Sequence, residues 1–319
     1  MTISRPCPLC GGTDVSIFAS MTASQIVDSS PYYDHSAYER LEVRPTDRYG
    51  ISRCATCGFM FASSEPSERF LGRLYSQNGD LESSVRVFAR PERAAYLFKA
   101  VSNLLGAIAG QVRGDERGVT PRPIRILDVG CAFGVGSLGL AIPGYPYEIA
   151  GVEMDESVRD FLSARGMTVY CSVNEVPADV AYDGILLNDV LEHLPDPVSF
   201  VKQLASFSRK GTAAWVNVPN FIGWRMEQVV REVASGATSI PLDLNPWEHL
   251  SYFTPSTLDV LMRHGGFERQ ALDPVECPVS CRSAADLPKA LVKAVRDVWR
   301  VFRKQYPSRF HTSSIYVKD

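Results

Sequence analysis

Nowhere in these 319 residues does an apolar run approach the roughly 20 residues that a membrane-spanning helix requires. The amino terminus, MTISRPCPLC, shows no apolar signal region, so the sequence predicts a cytosolic (cytoplasmic) protein with no membrane span. An excess of either charge is missing too. With 33 basic and 36 acidic residues the formal net charge is −3, which argues against a nucleic-acid partner, since phosphate backbones are gripped by basic surfaces. Histidine is scarce: only His35, His193, His249, His264 and His311 can supply an imidazole for acid–base or metal chemistry. Disulfides are not expected, because eight cysteines in a reducing compartment read better as metal ligands and buried thiols. What the chain does have is apolar content. It is 45% hydrophobic, over a length sufficient for one sizeable α/β domain and a smaller module.

The most informative stretch is IRILDVGCAFGVGSLGL at 124–140. Ile124, Ile126, Leu127 and Val129 form a short run rich in β-branched residues, as a strand buried on both faces requires. Gly130, Gly134 and Gly136 follow, and then an apolar run with the character of a helix. Strand, glycine turn and helix together aim backbone N–H groups at a ligand beside the carboxyl edge of a parallel sheet. A dinucleotide would bring its pyrophosphate to this helix start, where Asp128 repels it. The same carboxylate suits a polar or cationic group, and a nucleotide-like cofactor is expected at the turn. A second strand, IAGVEM at 149–154, ends in Glu153, whose carboxylate can accept both ribose hydroxyls of a nucleoside.

The D-x-G-x-A-x-G-x-G run from Asp128 resembles the first motif of class I S-adenosylmethionine-dependent methyltransferases, with Ala132 where glycine is usual. YDGILLNDV at 182–190 reads as the fourth strand and runs into LEHLPDP at 191–197, similar to the family segment beside the methionine part of the cofactor. The resemblance implies a Rossmann-like α/β fold: a mostly parallel sheet with an antiparallel last strand, plus a small amino-terminal zinc-binding module. It also implies a cofactor site drawn from Asp128, Gly130, Ala132, Gly134, Glu153, Met154, Ser172, Val173 and Asn188.

Four cysteines make a second constellation. Cys7-Pro-Leu-Cys10-Gly and Cys54-Ala-Thr-Cys57-Gly are two C-x-x-C-G knuckles. Each lets one tight turn aim two thiolates at a common centre, and two knuckles complete the closed tetrahedral site of structural zinc. Such a site has no open position and reads as a staple. Cys131, Cys171, Cys277 and Cys281 share no such spacing and read as core or loop thiols. The insertion SSPYYDHSAY at 29–38 has the composition of a loop over a substrate pocket and equally of an ordinary surface loop.

The expected organisation is a zinc-ribbon-like module at 1–66, a helical connector at 67–123 and the cofactor-binding domain at 124–319. The connector should hold helices at 67–75 and 91–108, the second with Ala94, Leu97, Phe98, Val101, Leu104, Leu105 and Ile108 on one face, then a linker at 110–123. A fifth strand is expected at 213–218, a lid-like insertion at about 221–248, and a helix at 255–264 capped by Thr254 and Gly265. Residues 267–272 and 314–317 should pair antiparallel, and a basic amphipathic helix is expected at 286–304. That helix suits an anionic surface or, as the plainer reading, a solvated face.

The cysteine knuckles, the class I core and the H-L-x-Y-F-T-P segment at 249–255 together resemble methyltransferases of bacterial sugar, polysaccharide and secondary-metabolite pathways. That resemblance implies a small-molecule acceptor, most naturally a hydroxyl of a sugar or secondary metabolite. A hydroxyl acceptor benefits from a base of near-neutral pKa, and His249, then His193, occupy the positions expected of the family's pocket. Asp189-x-x-Glu192-His193 also resembles the acidic-His cluster with which ubiquinone-pathway O-methyltransferases hold a divalent cation, a set suited to magnesium or manganese. Methylation of sugar carbon stays open, as do an RNA acceptor and a non-catalytic cofactor-binding protein.

Overall fold

The chain opens into an antiparallel sheet that later segments complete. In the computed structural model, β1 (Val15–Thr22), β2 (Arg48–Cys54) and β3 (Met60–Ala62) pair antiparallel in that order. A short strand from far along the chain, β9 (Ser251–Tyr252), adds to the free edge of β3. The structure describes residues 5–30, 33–75, 101–108, 123–134, 147–177, 179–221, 232, 244–272 and 311–319. The chain divides into two compact units. One is Met1–Asn78 with Leu191–Phe200 and Pro219–Leu261; the other is Gly79–Val190 with Val201–Val218 and Met262–Asp319.

Local chemistry explains the elements of the first unit. α1 (Ala23–Ser29) starts at Thr22, whose hydroxyl accepts from the Gln25 N–H at 3.2 Å while the Gln25 side chain accepts from the Thr22 N–H at 2.9 Å. That reciprocal pair satisfies two otherwise orphaned donors. α2 (Ser36–Arg40) follows, and α3 (Glu68–Tyr75) lies where the sequence expected a helix. The core is aromatic. Trp247 is fully buried, with the rings of Tyr33, Tyr49 and Phe70 at 5.4, 5.6 and 6.1 Å, all near edge-on, as ring quadrupoles favour. Met21, Ile26, Ile51 and Tyr252 complete this core.

The second unit is the expected α/β layer. β4 (Ile124–Val129), β5 (Tyr147–Val152), β6 (Thr168–Tyr170), β7 (Tyr182–Asn188), β8 (Ser208–Pro219), β10 (Phe267–Leu272) and β11 (His311–Lys318) form one sheet, in the order β10-β11-β8-β7-β4-β5-β6. The pairs β4–β5, β4–β7, β5–β6 and β7–β8 are parallel, whereas β10 and β11 are antiparallel. This confirms the Rossmann-like fold and its antiparallel last strand. Leu104, Ile108, Ile126, Leu186 and Trp215 form one buried cluster of this unit, and Cys131, Phe133, Val158, Leu162 and Met167 form a second. Residues 101–108 are helical and lie close against β7. A Cβ on Gly184 would come within 2.9 Å of Ile108 Cδ1, so glycine sets that helix–sheet distance.

α4 (Glu156–Ser163) is capped by Asp155, which accepts from the Ser157 N–H at 2.8 Å. α5 (Pro197–Ser206) and α6 (Pro255–Arg263) are the remaining described helices. Thr254 caps α6 as expected, its hydroxyl accepting from the Thr257 N–H at 3.3 Å. At the other end, the left-handed residue is Gly266, with φ +71°, and Gly265 instead packs against Val201. The sequence reading placed the cap one residue early. Gly136, the helix after it, most of the linker and lid, the helix at 286–304, Cys277 and Cys281 lie outside the described residues. No described helix is long and apolar enough to cross a membrane.

Candidate active site

The first candidate site lies at the carboxyl edge of the parallel strands. Val129 pairs with Val152, which sets the turn after β4 beside the end of β5. Gly130 has φ +66° and its N–H donates to the Val152 carbonyl at 2.8 Å. A Cβ at Gly130 would stand 2.8 Å from Val190 Cγ2, so both backbone angle and space demand glycine. Ala132 takes φ +45°, the left-handed region that explains why glycine is the usual residue there.

The Glu153 carboxylate is already aimed. Oε2 accepts from the Ala132 N–H and Oε1 from the Asp155 N–H, both at 3.0 Å. Asp128 is 8% exposed at the end of β4. Their joint field is visible at Cys131, whose thiol is pushed well up by burial, with Asp128 and Glu153 adding to the shift. A pair of carboxylates at this turn suits a sulfonium and opposes a pyrophosphate. Met154, expected at the cofactor, is 77% exposed at the same strand end. Ser172 caps the short turn Val173–Glu175 beyond β6, accepting from the Asn174 N–H.

The structure adds residues the sequence did not single out. Asn217 on β8 donates to Asn188 Oδ1 at 3.2 Å and to Asp189 Oδ1 at 3.0 Å, and it accepts from the buried Ser313 hydroxyl at 2.7 Å. Asn188 also donates to Asp189 Oδ2 at 3.1 Å, and Asp189 sits at φ +55°. This network fixes the edge of β7. Its members are far apart in sequence, and only the strand order β11-β8-β7 brings them together.

The second candidate site lies wholly in the first unit. His193 ends a 3-10 turn, Leu191–His193, and its ring centroid is 4.8 Å from that of His249 at 71°. His193 Nδ1 is 2.9 Å from the Glu248 carbonyl oxygen and 3.2 Å from the Tyr75 hydroxyl. A carbonyl only accepts, so Nδ1 carries the proton and Nε2 carries the lone pair. Burial, with His249 adding to it, lowers the His193 pKa to about 3. Tyr33 donates to the Glu248 carboxylate, and burial together with that carboxylate pushes the Tyr33 phenol up. Glu192 is fully buried, and its carboxylate lies with one nitrogen of each histidine in a set whose atoms are all within 4.8 Å of one another. The acidic-His cluster expected from the sequence thus gains His249. Asp189 is not in the set, being bonded to Asn188 and Asn217.

The four knuckle thiols also converge. Cys7 Sγ and Cys57 Sγ are 3.6 Å apart, as are Cys10 Sγ and Cys54 Sγ, and all four fall within 4.8 Å. Tetrahedral zinc at its usual Zn–S length of about 2.3 Å needs S–S edges of roughly 3.8 Å. The donor set fits. Cys131 is a buried core thiol, and Cys171 donates to Glu175 at 2.9 Å.

The family described as a methyltransferase domain matches residues 93–272, and the chain belongs to it; it is an S-adenosylmethionine-dependent methyltransferase. The ubiquinone biosynthesis O-methyltransferase of Marinobacter nauticus is 26% identical over 169 residues, covering 50% of this chain and 69% of that protein. The enzyme of the same name from Parvibaculum lavamentivorans is 30% identical over 140 residues, covering 41% of this chain and 51% of that one. That of Bordetella parapertussis is matched over 62% of its length. Among solved structures, the Burkholderia thailandensis 1,6-didemethyltoxoflavin-N1-methyltransferase, bound to 1,6-didemethyltoxoflavin and S-adenosylhomocysteine, has the same fold. It gives a TM-score of 0.50 at 16% identity, covering 82% of this chain and 95% of that one.

Proposed function

We propose that this chain methylates a hydroxyl of a small molecule, a sugar or a secondary metabolite, with His249 as general base. The observation that carries the reading is the pairing of His193 and His249 beside Tyr75 and Glu248. The relatives named O-methyltransferase favour an oxygen acceptor. S-adenosylmethionine supplies an electrophilic methyl group when bound. Asp128 offers a counter-charge to its cationic end, and Glu153 offers acceptors for its ribose hydroxyls. The turn at Gly130, Ala132 and Gly134, with Met154, Ser172, Val173 and Asn188, frames the rest of the cofactor.

His249 would take the proton from the acceptor hydroxyl, and the bound S-adenosylmethionine would supply the methyl group to that oxygen. The lowered pKa of His193 keeps it neutral and makes it a poor proton acceptor. Its work is to line the pocket and orient His249. Cys7, Cys10, Cys54 and Cys57 hold a structural zinc that folds the knuckles.

A second reading has one specific observation behind it: Glu192, His193 and His249 form a carboxylate and two-imidazole set able to hold a divalent cation that would polarise the acceptor oxygen. The test is methyl transfer from labelled S-adenosylmethionine to a panel of phenolic and sugar hydroxyl acceptors. His249→Ala should lose at least about 100-fold in rate while binding S-adenosylhomocysteine like the parent. Full retention of rate contradicts the base assignment. Loss of activity on dialysis against a chelator, restored by magnesium or manganese, selects the second reading.

A further inference from the structure

The segments that carry the two histidines are joined directly by the Leu250 N–H, which donates to the Glu192 carbonyl at 2.7 Å. They are joined a second time by a side chain from the cysteine knuckle. Arg5, two residues before Cys7, donates from Nη1 to the Pro195 carbonyl at 3.0 Å and from Nη2 to the Leu250 carbonyl at 3.3 Å. Pro195 lies two residues beyond His193, and Leu250 directly follows His249. The guanidinium stands 5.3 Å from the centre of the Phe61 ring on β3, and Leu250 immediately precedes β9, the strand paired to β3.

This placement is costly. Burial lowers the Arg5 pKa against the opposing pull of Glu65, Cys7, Asp196 and Tyr252. Removing a cation from water carries a penalty that two neutral carbonyl acceptors only partly offset. A lysine would have to meet both carbonyls from a single nitrogen, whereas the rigid planar fork of arginine sends a separate nitrogen to each. The geometry therefore reads as a clamp, holding the turn after His193 at a fixed distance from the turn after His249.

We infer that Arg5 is a positioning residue: it ties the folded cysteine knuckle to the two histidine segments and so sets the orientation of His193 against His249. The inference rests on the reading of that pair as the reacting site, and it extends the role of the knuckle beyond a remote staple. The knuckle orders Cys7, Cys7 orders Arg5, and Arg5 fixes both segments. His193 then keeps its Nδ1 proton on the Glu248 carbonyl and presents the Nε2 lone pair.

The test is long-range proton–nitrogen NMR of the imidazoles in the zinc-loaded full chain, with the five histidines assigned by single His→Asn variants. The parent should show His193 as one fixed Nδ1–H tautomer. Arg5→Met should bring its two ring nitrogen shifts toward a common averaged value, with zinc content unchanged and S-adenosylhomocysteine affinity within twofold. Arg5→Lys should give the same averaging despite its retained charge, and methylguanidinium added to Arg5→Ala should restore the fixed tautomer. If Arg5→Met proves too unstable for spectra, Arg5→Lys carries the same criterion. A fixed Nδ1–H tautomer in Arg5→Lys or Arg5→Met overturns the inference. Failure of the base assignment would appear elsewhere, as methyl transfer surviving His249→Ala.

Discussion

Replacing Gly130 by alanine separates two costs that the cofactor turn combines. At φ +66° an L side chain is strained by roughly 1–2 kcal/mol. The new methyl would also stand 2.8 Å from Val190 Cγ2, against a usual carbon–carbon contact of about 3.5–4.0 Å. Relieving that overlap through a rotamer change or a small shift of Val190 costs about 1 kcal/mol or more. Together the terms predict a loss of about 2–3 kcal/mol, divided between folding stability, read from urea midpoints, and S-adenosylhomocysteine affinity, read by calorimetry. Val190→Ala in the same background removes the steric part and leaves the backbone part. The double variant should therefore recover about 1 kcal/mol and stay below the parent by the rest. A Gly130→Ala protein within about 0.3 kcal/mol of the parent on both measures, or a double variant no better than the single, refutes the reasoning.

Three further outcomes follow from the geometry. Cys54→Ser should lower the zinc content of the purified protein, read by atomic emission, and should drop the melting temperature, because the ion and the fold of the knuckles form together. Trp247→Ala removes a fully buried ring that meets Tyr33, Tyr49 and Phe70, and should cost about 3–5 kcal/mol in urea unfolding. The third is a pH effect: the His193 pKa of about 3 lies below its unfolded value, so the unfolded chain takes up a proton that the native one refuses. Stability from this group is present above about pH 6.5 and is lost as pH falls toward 3, at up to about 1.4 kcal/mol per unit. Urea midpoints at several pH values should show that slope in the parent and its reduction in His193→Asn.

Local signals made much of the fold readable. The β-branched run at 124–129, the strand ending at Glu153 and the pairing of residues 267–272 with the carboxyl-terminal strand all depend on short-range patterns, and each formed. Thr254 was legible for the same reason, since an N-cap is a contact within one turn. What escaped was long-range. Nothing near Asn217 or Ser313 announces that β8 and β11 lie side by side, and a two-residue strand such as β9 has no periodicity to read. His249 joins Glu192 and His193 only through packing, whereas Asp189 is suggested as the third member by the resemblance of Asp189-x-x-Glu192-His193 to a family cluster. Arg5 carried no signal at all, because an arginine beside a cysteine knuckle is ordinary until its carbonyl partners are known.

The account depends most on Glu153 as the ribose acceptor of a methyl-donor site. Calorimetric titration of S-adenosylhomocysteine into the parent and into Glu153→Ala tests it directly. Loss of two charge-assisted hydrogen bonds, each worth about 1.5–3 kcal/mol, predicts an affinity at least about 100-fold weaker. An unchanged Kd in a folded Glu153→Ala protein would contradict the assignment of this turn as the cofactor site.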